Sequence, residues 1–376
     1  MRYLGNDILR DLKRKIVLLS GPRQSGKTTF AKSLNPRGCY LNWDVRADQR
    51  VIRVMGWPKD VPLLVLDELH KLNKWKNYVK SLADGIQKPP TLITGSARLE
   101  TFRRQGDALT GRTFHYRMHP IDVSESKVFL PQQTTEERVQ RLLSAGGFPE
   151  AYLFPENAER LRNDRFDLVV REDLLDLSRV SALRNIELLL ELLRERVGGS
   201  ISYVHLAQDL SVSPPTVKSW IELLERLYLI FIVRPFHLKL ARAIRKEPKI
   251  YFYDCAAGYE TIAGARLENL VACSLLKYCQ WSNDRTGSRL QLYYYRDRDH
   301  REVDFIVAER SKVKWCLEVK AGDDNLSPSL RYLHEALRPE ASLQLVFNLN
   351  QVQERNGINI VNAGEWLEAL SGGPIR

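Results

Sequence analysis

The stretch from Lys15 to Leu34 constrains this chain more than any other. It opens with Lys-Ile-Val-Leu-Leu-Ser, an apolar run too short for a helix and bounded by Gly21 and Pro22. Such a run predicts a strand buried on both faces, as in a parallel sheet. Directly after it stand Gly21, Pro22, Arg23, Gln24, Ser25, Gly26, Lys27 and Thr28, and Thr29 then begins a helical stretch to Leu34. Strand, glycine-bearing loop and helix in that order form a phosphate cradle. The glycines let successive backbone N–H groups turn toward an anion at the helix N-terminus. Lys27 reaches the β- and γ-phosphates of a nucleotide, and the Thr28 hydroxyl can ligate Mg²⁺. Gly21 to Thr29 are therefore the expected ATP contacts.

Two further strands complete the constellation. Val61 to Leu66 runs into Asp67-Glu68, which delivers two carboxylates at a strand's C-terminal end, where ligands of open α/β sheets gather. Asp67 is expected to hold Mg²⁺ with Thr28, and Glu68 to orient or activate water. The adjacent Glu points to an ATPase whose nucleophile is water rather than to a kinase or a Ras-like switch. Pro90 to Thr94 ends in Gly95-Ser96, where Ser96 either faces the γ-phosphate or caps the next helix. That helix spans roughly Arg98 to Leu109. Arg112 then precedes a strand at Thr113 to Met118 and stands at the edge of the nucleotide domain.

Length and charge set the frame for the rest. A chain of 376 residues corresponds to two or three domains. No apolar run approaches the roughly 18 to 20 residues of a membrane span, and the opening residues offer no apolar leader, so neither export nor a membrane is expected. Five cysteines, Cys39, Cys255, Cys273, Cys279 and Cys316, show no metal-knuckle spacing and suit reduced thiols in a cytoplasm. The net charge of +11 is uneven. Residues 1–130 hold 24 basic against 12 acidic side chains and residues 201–249 hold 8 against 4, whereas 131–200 and 250–376 are net acidic. An excess of this size favours a polyanion such as DNA.

Beyond Pro120 the strand pattern stops. Helical periodicity predicts helices at Glu136 to Leu143, Ala158 to Leu177 and Arg184 to Arg196, broken at Gly146-Gly147-Phe148-Pro149. A helix opening at Ile201-Ser202 and another from Pro214 to about Leu227, capped by Ser213, make a helix-turn-helix pattern. Strands at Ile230 to Pro235 and Ile250 to Tyr253 flank a basic hairpin with Lys239, Arg242, Arg245, Lys246 and Lys249. This is a winged-helix pattern, which binds duplexes in some proteins and packs subunits in others. In residues 255–376, a helix from Ala265 to Tyr278 carries Glu268. A strand at Gln291 to Arg296 comes next, then Glu302 to Ala308 with Asp304, then Val313 to Lys320. Strand alternation puts Glu318 and Lys320 on one face. With an acid from an adjacent strand, that face can hold a divalent cation beside a lysine.

These motifs resemble known families. The order of phosphate loop, acidic pair, Ser96 and edge arginine is similar to AAA+ ATPases. That resemblance implies Arg112 as a finger entering a neighbouring subunit's site, hence a homo-oligomer, and residues 131–200 as a helical lid. Asp304 and Glu318-x-Lys320, with Glu268 as the first-helix acid, resemble the PD-(D/E)xK nuclease fold, although Val303 replaces the motif's proline. That resemblance implies metal ligation by Asp304 and Glu318 and catalytic roles for Glu268 and Lys320. Taken whole, the chain looks like the AAA family ATPases whose C-terminal half is domain of unknown function 4143. The expected architecture is an α/β nucleotide-binding domain at 1–130, a lid at 131–200, a winged helix at 201–254 and a nuclease-like domain at 255–376. The expected activity is Mg²⁺-dependent ATP hydrolysis coupled to DNA binding or processing. The alternative is an ATP-switched binding protein whose terminal domain cuts nothing.

Overall fold

Strand β1 (Ile16–Ser20) is buried along its whole length in a computed structural model of the chain. The structure describes residues 2–58, 60–85, 89–95, 109–169, 180–236, 247–258, 263–349 and 351–370. The chain divides into two units, one of residues 1–120 with 284–286, the other of 121–283 and 287–376.

In the first unit, helix α1 (Gly5–Leu12) precedes β1, and helix α2 (Lys27–Leu34) comes directly after the phosphate loop. Strand β2 (Cys39–Asn42), helix α3 (Arg46–Val54), strand β3 (Leu64–Asp67), helix α4 (Trp75–Asp84), and strands β4 (Thr91–Thr94) and β5 (Thr113–Arg117) complete it. All five strands are parallel, in the order β2-β3-β4-β1-β5. Asp67 pairs in register with Thr94, and Thr94 with Leu19, so three strands end side by side. Ile16, Leu18, Leu64, Leu66 and Ile93 bury one sheet face against Ile52, Trp75 and Val79. Strand β2 escapes the sequence pattern because it lies at the sheet edge, where only Leu41 of its four residues is buried.

The second unit begins with helices at Val123–Phe129, Thr135–Ala145, Pro149–Leu153, Ala158–Val169 and Val180–Arg194. Thr134 and Glu137 form a reciprocal capping box at the start of the second. That helix ends at Gly146, whose φ is +87° and where a β-carbon would collide with the Asp254 carboxylate. Asp254 Oδ2 accepts from Arg162 Nε at 3.0 Å and from an Arg165 guanidinium nitrogen at 2.6 Å. Arg165 also lies 3.4 Å over the Phe148 ring. The Gly-Gly-Phe-Pro break is thus a packing knot, which commits Arg162 and Arg165 to Asp254.

Helices Tyr203–Asp209 and Pro214–Arg226 come next, and the Ser213 hydroxyl accepts from Thr216 N at the start of the second. Strands β6 (Ile230–Pro235) and β7 (Lys249–Phe252) pair antiparallel. They do not stand apart from the strands of the C-terminal region. Arg234 and Pro235 of β6 pair in parallel with Tyr293 and Tyr294 of β8 (Leu290–Arg296). The sheet continues through β9 (Glu302–Glu309), β10 (Lys312–Lys320), β11 (Ala341–Val346), β12 (Gln353–Arg355) and β13 (Ile358–Asn362), in the order β12-β13-β11-β10-β9-β8-β6-β7. A boundary at residue 254 therefore falls between segments that share one eight-stranded sheet. The helix carrying Glu268 runs from Ala263 to Thr286, beyond the Tyr278 expected from periodicity. Helices Pro328–Leu337 and Ala363–Ala369 complete the unit.

Candidate functional site

The phosphate loop is shaped by two glycines. Gly21 has φ +150°, and a β-carbon there would collide with the Met118 carbonyl; Gly26 has φ +88° at the start of α2. Gln24 also takes a positive φ of 60°. The loop is held from behind by Arg2, whose guanidinium donates to Ser25 O at 3.0 Å and His119 O at 2.7 Å. Ser25 Oγ is buried without a hydrogen-bond partner among the described residues.

Lys27 is buried, and its ammonium donates to the loop's own carbonyls, Gly21 O at 3.0 Å and Pro22 O at 2.6 Å. Burial pulls it down to about 8, partly offset by the carboxylates of Glu68 and Asp67. Neutral carbonyls satisfy its hydrogen bonds without balancing its charge, and a phosphate oxygen does both.

Asp67, at the end of β3, is the hub. Its Oδ2 accepts from Thr28 Oγ1 and from Tyr40 OH, each at 2.7 Å. Its Oδ1 accepts from Thr94 Oγ1 and from Glu68 N. A hydroxyl from the phosphate loop and a carboxylate from β3 thus meet at one point, which is the donor set a P-loop Mg²⁺ requires. The residues fit such an ion, which Thr28 and Asp67 would hold. Glu68 sits at φ +55°, and its Oε2 lies 3.4 Å from Lys71 Nζ and 3.7 Å from His70 Nε2. Burial raises the Glu68 carboxyl, with Asp67 adding and Lys71 and Lys27 opposing. Lys71 is itself tied to Asp44 at 2.6 Å. Tyr40 carries no sequence signal, because its partner lies on a neighbouring strand and its own strand is four residues long.

Ser96 lies outside the described residues. Arg112 pairs with Asp84 of its own unit, Nε to Oδ1 at 2.8 Å, on a partly exposed surface. Of the basic hairpin, Lys239, Arg242, Arg245 and Lys246 lie outside the described residues. Lys249 corrects the expectation of a solvent-facing hairpin cation: its side chain is only 2% exposed.

The acids of the second unit gather around that lysine. Lys249 Nζ lies 2.7 Å from Glu302 Oε1, 3.2 Å from Glu268 Oε1 and 3.5 Å from Asp304 Oδ1. Tyr251 OH donates to Glu268 Oε1 at 2.5 Å, and Asp304 Oδ2 accepts from Val319 N at 2.9 Å. Glu318 Oε1 pairs with Lys320 Nζ at 2.8 Å, while its Oε2 is buried without a hydrogen-bond partner among the described residues. Burial and the Asp304 charge push both Glu268 and Glu318 up to about 7. The four expected residues do come together, with Glu302, Tyr251 and Lys249 as members that spacing could not announce. Among the described residues, however, no group of three or more His, Cys, Asp or Glu could hold a metal ion. With an ammonium among the carboxylates, this cluster as it stands does not fit a divalent cation. Among the described residues no helix is long and apolar enough to cross a membrane.

Comparison with known proteins divides the chain in three. Residues 13–127 match an AAA domain, residues 136–262 a domain of unknown function, DUF8612, and residues 263–366 another, DUF4143. Uncharacterized proteins of Mycobacterium bovis and Mycobacterium tuberculosis are each 22% identical over 337 residues, covering 84% of this chain and 73% of theirs. An uncharacterized protein of Methanocaldococcus jannaschii is 22% identical over 344 residues, covering 74% of this chain and 70% of its own. Among solved structures, a Walker-type ATPase of Pyrococcus abyssi aligns at TM-score 0.41 and 14% identity, covering 70% of this chain and 94% of that one. The Bacillus subtilis DNA clamp loader delta protein aligns at TM-score 0.27 and 12% identity, covering 59% of this chain and 87% of that one. The AAA match over the phosphate loop and the match over residues 263–366 together support an AAA-like ATPase with a DUF4143 region on its C-terminal side.

Proposed function

We propose that this chain is a Mg²⁺-dependent ATPase that couples hydrolysis to DNA binding and acts as a homo-oligomer. The observation that carries the reading is the meeting of Thr28 and Asp67 beside the buried Lys27. Backbone N–H groups from Gly21 to Thr29 receive the phosphates, and Lys27 exchanges its carbonyl partners for phosphate oxygens. Mg²⁺, when bound, would neutralise charge on the phosphates, and Thr28 and Asp67 would hold it. Glu68, whose carboxyl is raised by burial, orients the attacking water and accepts its proton. Ser96 contacts the γ-phosphate or its water. Arg112 exchanges Asp84 for the nucleotide of a neighbouring subunit, so sizing in the presence of ATP should show assembly that Arg112→Ala weakens.

DNA binding rests on the positive charge of residues 1–130 and 201–249, with Lys239, Arg242, Arg245 and Lys246 as the expected phosphate contacts. The buried Lys249 among the carboxylates favours the reading in which the C-terminal region does not cut nucleic acid. Steady-state ATPase assays with and without duplex DNA test the proposal. Lys27→Ala should lose tight ATP binding, whereas Glu68→Gln should bind ATP and hydrolyse it at least about a hundredfold more slowly. Unchanged turnover in Glu68→Gln, or turnover indifferent to duplex DNA, would overturn the corresponding part.

A further inference from the structure

We infer that Lys249 is the built-in cation of the C-terminal acidic cluster: its ammonium occupies the charge position that a divalent metal ion would otherwise fill, and removing it turns the cluster into a metal site. The inference does not rest on the ATPase reading.

The geometry has three parts. First, the Lys249 side chain has almost no contact with solvent, and carboxylates from two elements surround its ammonium. Glu268 comes from the helix Ala263–Thr286, and Glu302 and Asp304 come from β9. Lys249 itself comes from β7, so one side chain cross-braces three elements. Second, the surroundings are closed by aromatic rings. The Tyr294 ring lies 5.5 Å from the ammonium, and Tyr251, which donates to Glu268, packs at 5.6 Å between centroids against Phe305. A lysine buried so deeply is stable as a cation only through its carboxylates. Burial by itself would lower Lys249, yet Glu268, Asp304 and Glu302 hold it above the ordinary lysine range.

The third part is the charge count. Glu268, Glu302, Asp304 and Glu318 stand against Lys249, Lys320 and the more distant Arg296, whose Nε is 3.7 Å from Glu302. Four negative charges against three positive leave room for one shared proton, but not for a further double charge in a dry pocket. Without Lys249 the negative excess grows to two charges, which one divalent cation would balance. Glu268 Oε1, Glu302 Oε1 and Asp304 Oδ1, which surround the ammonium, would then be carboxylate oxygens short of a cation, the hard donors that Mg²⁺ or Mn²⁺ takes. The cluster is therefore the internal salt that joins β7 to β9 and to the helix Ala263–Thr286.

Mn²⁺ titration of the full chain, monitored by electron paramagnetic resonance, tests this. All proteins carry Asp67→Asn, so that the nucleotide site does not contribute. With Lys249 present, saturable binding should be absent at millimolar Mn²⁺. Lys249→Met should bind one Mn²⁺ per chain at least about tenfold more tightly than the parent, and Asp304→Asn added to it should abolish that binding. If Lys249→Met folds only when Mn²⁺ is supplied, as read by thermal unfolding, the metal has replaced the ammonium and the inference stands. Lys249→Gln, which keeps a hydrogen-bonding head at the position, should show the same gain in affinity. A parent chain that binds one Mn²⁺ in a manner lost with Asp304→Asn overturns the inference. So does a folded Lys249→Gln chain that binds no more Mn²⁺ than the parent.

Discussion

Each unit of this protein sets a buried lysine among carboxylates at a sheet, and the two lysines are in opposite states. Lys27 has its hydrogen bonds filled by two neutral carbonyls and is pulled down to about 8, with Asp67 and Glu68 acting only at a distance. Lys249 is ringed by three carboxylates within 3.5 Å and is held above the ordinary lysine range. The first arrangement leaves a positive charge to be balanced by a ligand, which suits a site that exchanges nucleotides. The second balances its charge internally, which suits a joint. The same residue type in similar burial becomes a receptor or a rivet according to whether its partners are dipoles or ions.

The sharpest way to break this comparison is to remove each lysine in turn. Lys249→Met should lose about 3–5 kcal/mol of stability in urea unfolding, since it leaves uncompensated buried carboxylates. Lys27→Met should cost the fold little and abolish ATP binding. Equal destabilisation by the two substitutions would erase the distinction.

A smaller effect comes from pH. Glu268, facing Asp304, Lys249 and Tyr251, and Glu318, facing Asp304 and Lys320, are raised from 4.5 to about 7. A carboxyl raised by folding binds more protons in the folded state, so its contribution is complete below about 4.5 and disappears as pH rises through about 7. Urea unfolding should therefore show the second unit more stable at about pH 5.5 than at about pH 8, by roughly 1–2 kcal/mol after allowance for coupling between the two acids. Glu268→Gln with Glu318→Gln should flatten that dependence. A stability that rises over the same interval would place the charges elsewhere.

The smallest expected effect concerns Tyr40. Its hydroxyl shares Asp67 Oδ2 with Thr28, and both burial and that hydrogen bond raise it above the ordinary tyrosine range. Tyr40→Phe should weaken the Mg²⁺ dependence of ATP binding by about threefold, with the fold unchanged, as expected for one neutral hydrogen bond to a carboxylate. No change in Mg²⁺ dependence would make Tyr40 a packing residue only.

How much of this could be read in advance varies along the chain. The strand, loop and helix at Lys15 to Leu34 were legible because every part is contiguous, as were Asp67-Glu68 at a strand end and the Ser213-Pro214 helix start. Strand β2 was not legible, because an edge strand with one buried residue has no periodicity to detect. The run from Lys239 to Lys249 reads as one basic hairpin, but its last member lies inside the fold, since charge along a sequence does not say which side chain a sheet will cover.

The sequence by itself determined the phosphate loop: its residues are contiguous, and backbone geometry plus a glycine pattern is enough to place them. It also marked Glu268, Asp304, Glu318 and Lys320 as a set. Only the tertiary structure decided what that set is. Pairing of β6 with β8 carries β7 into the same sheet, and this brings Lys249 among acids 19, 53 and 55 positions further along the chain. The electrostatics of a buried cluster depend on distances between elements, and those are set by sheet order and register, which no short-range pattern encodes.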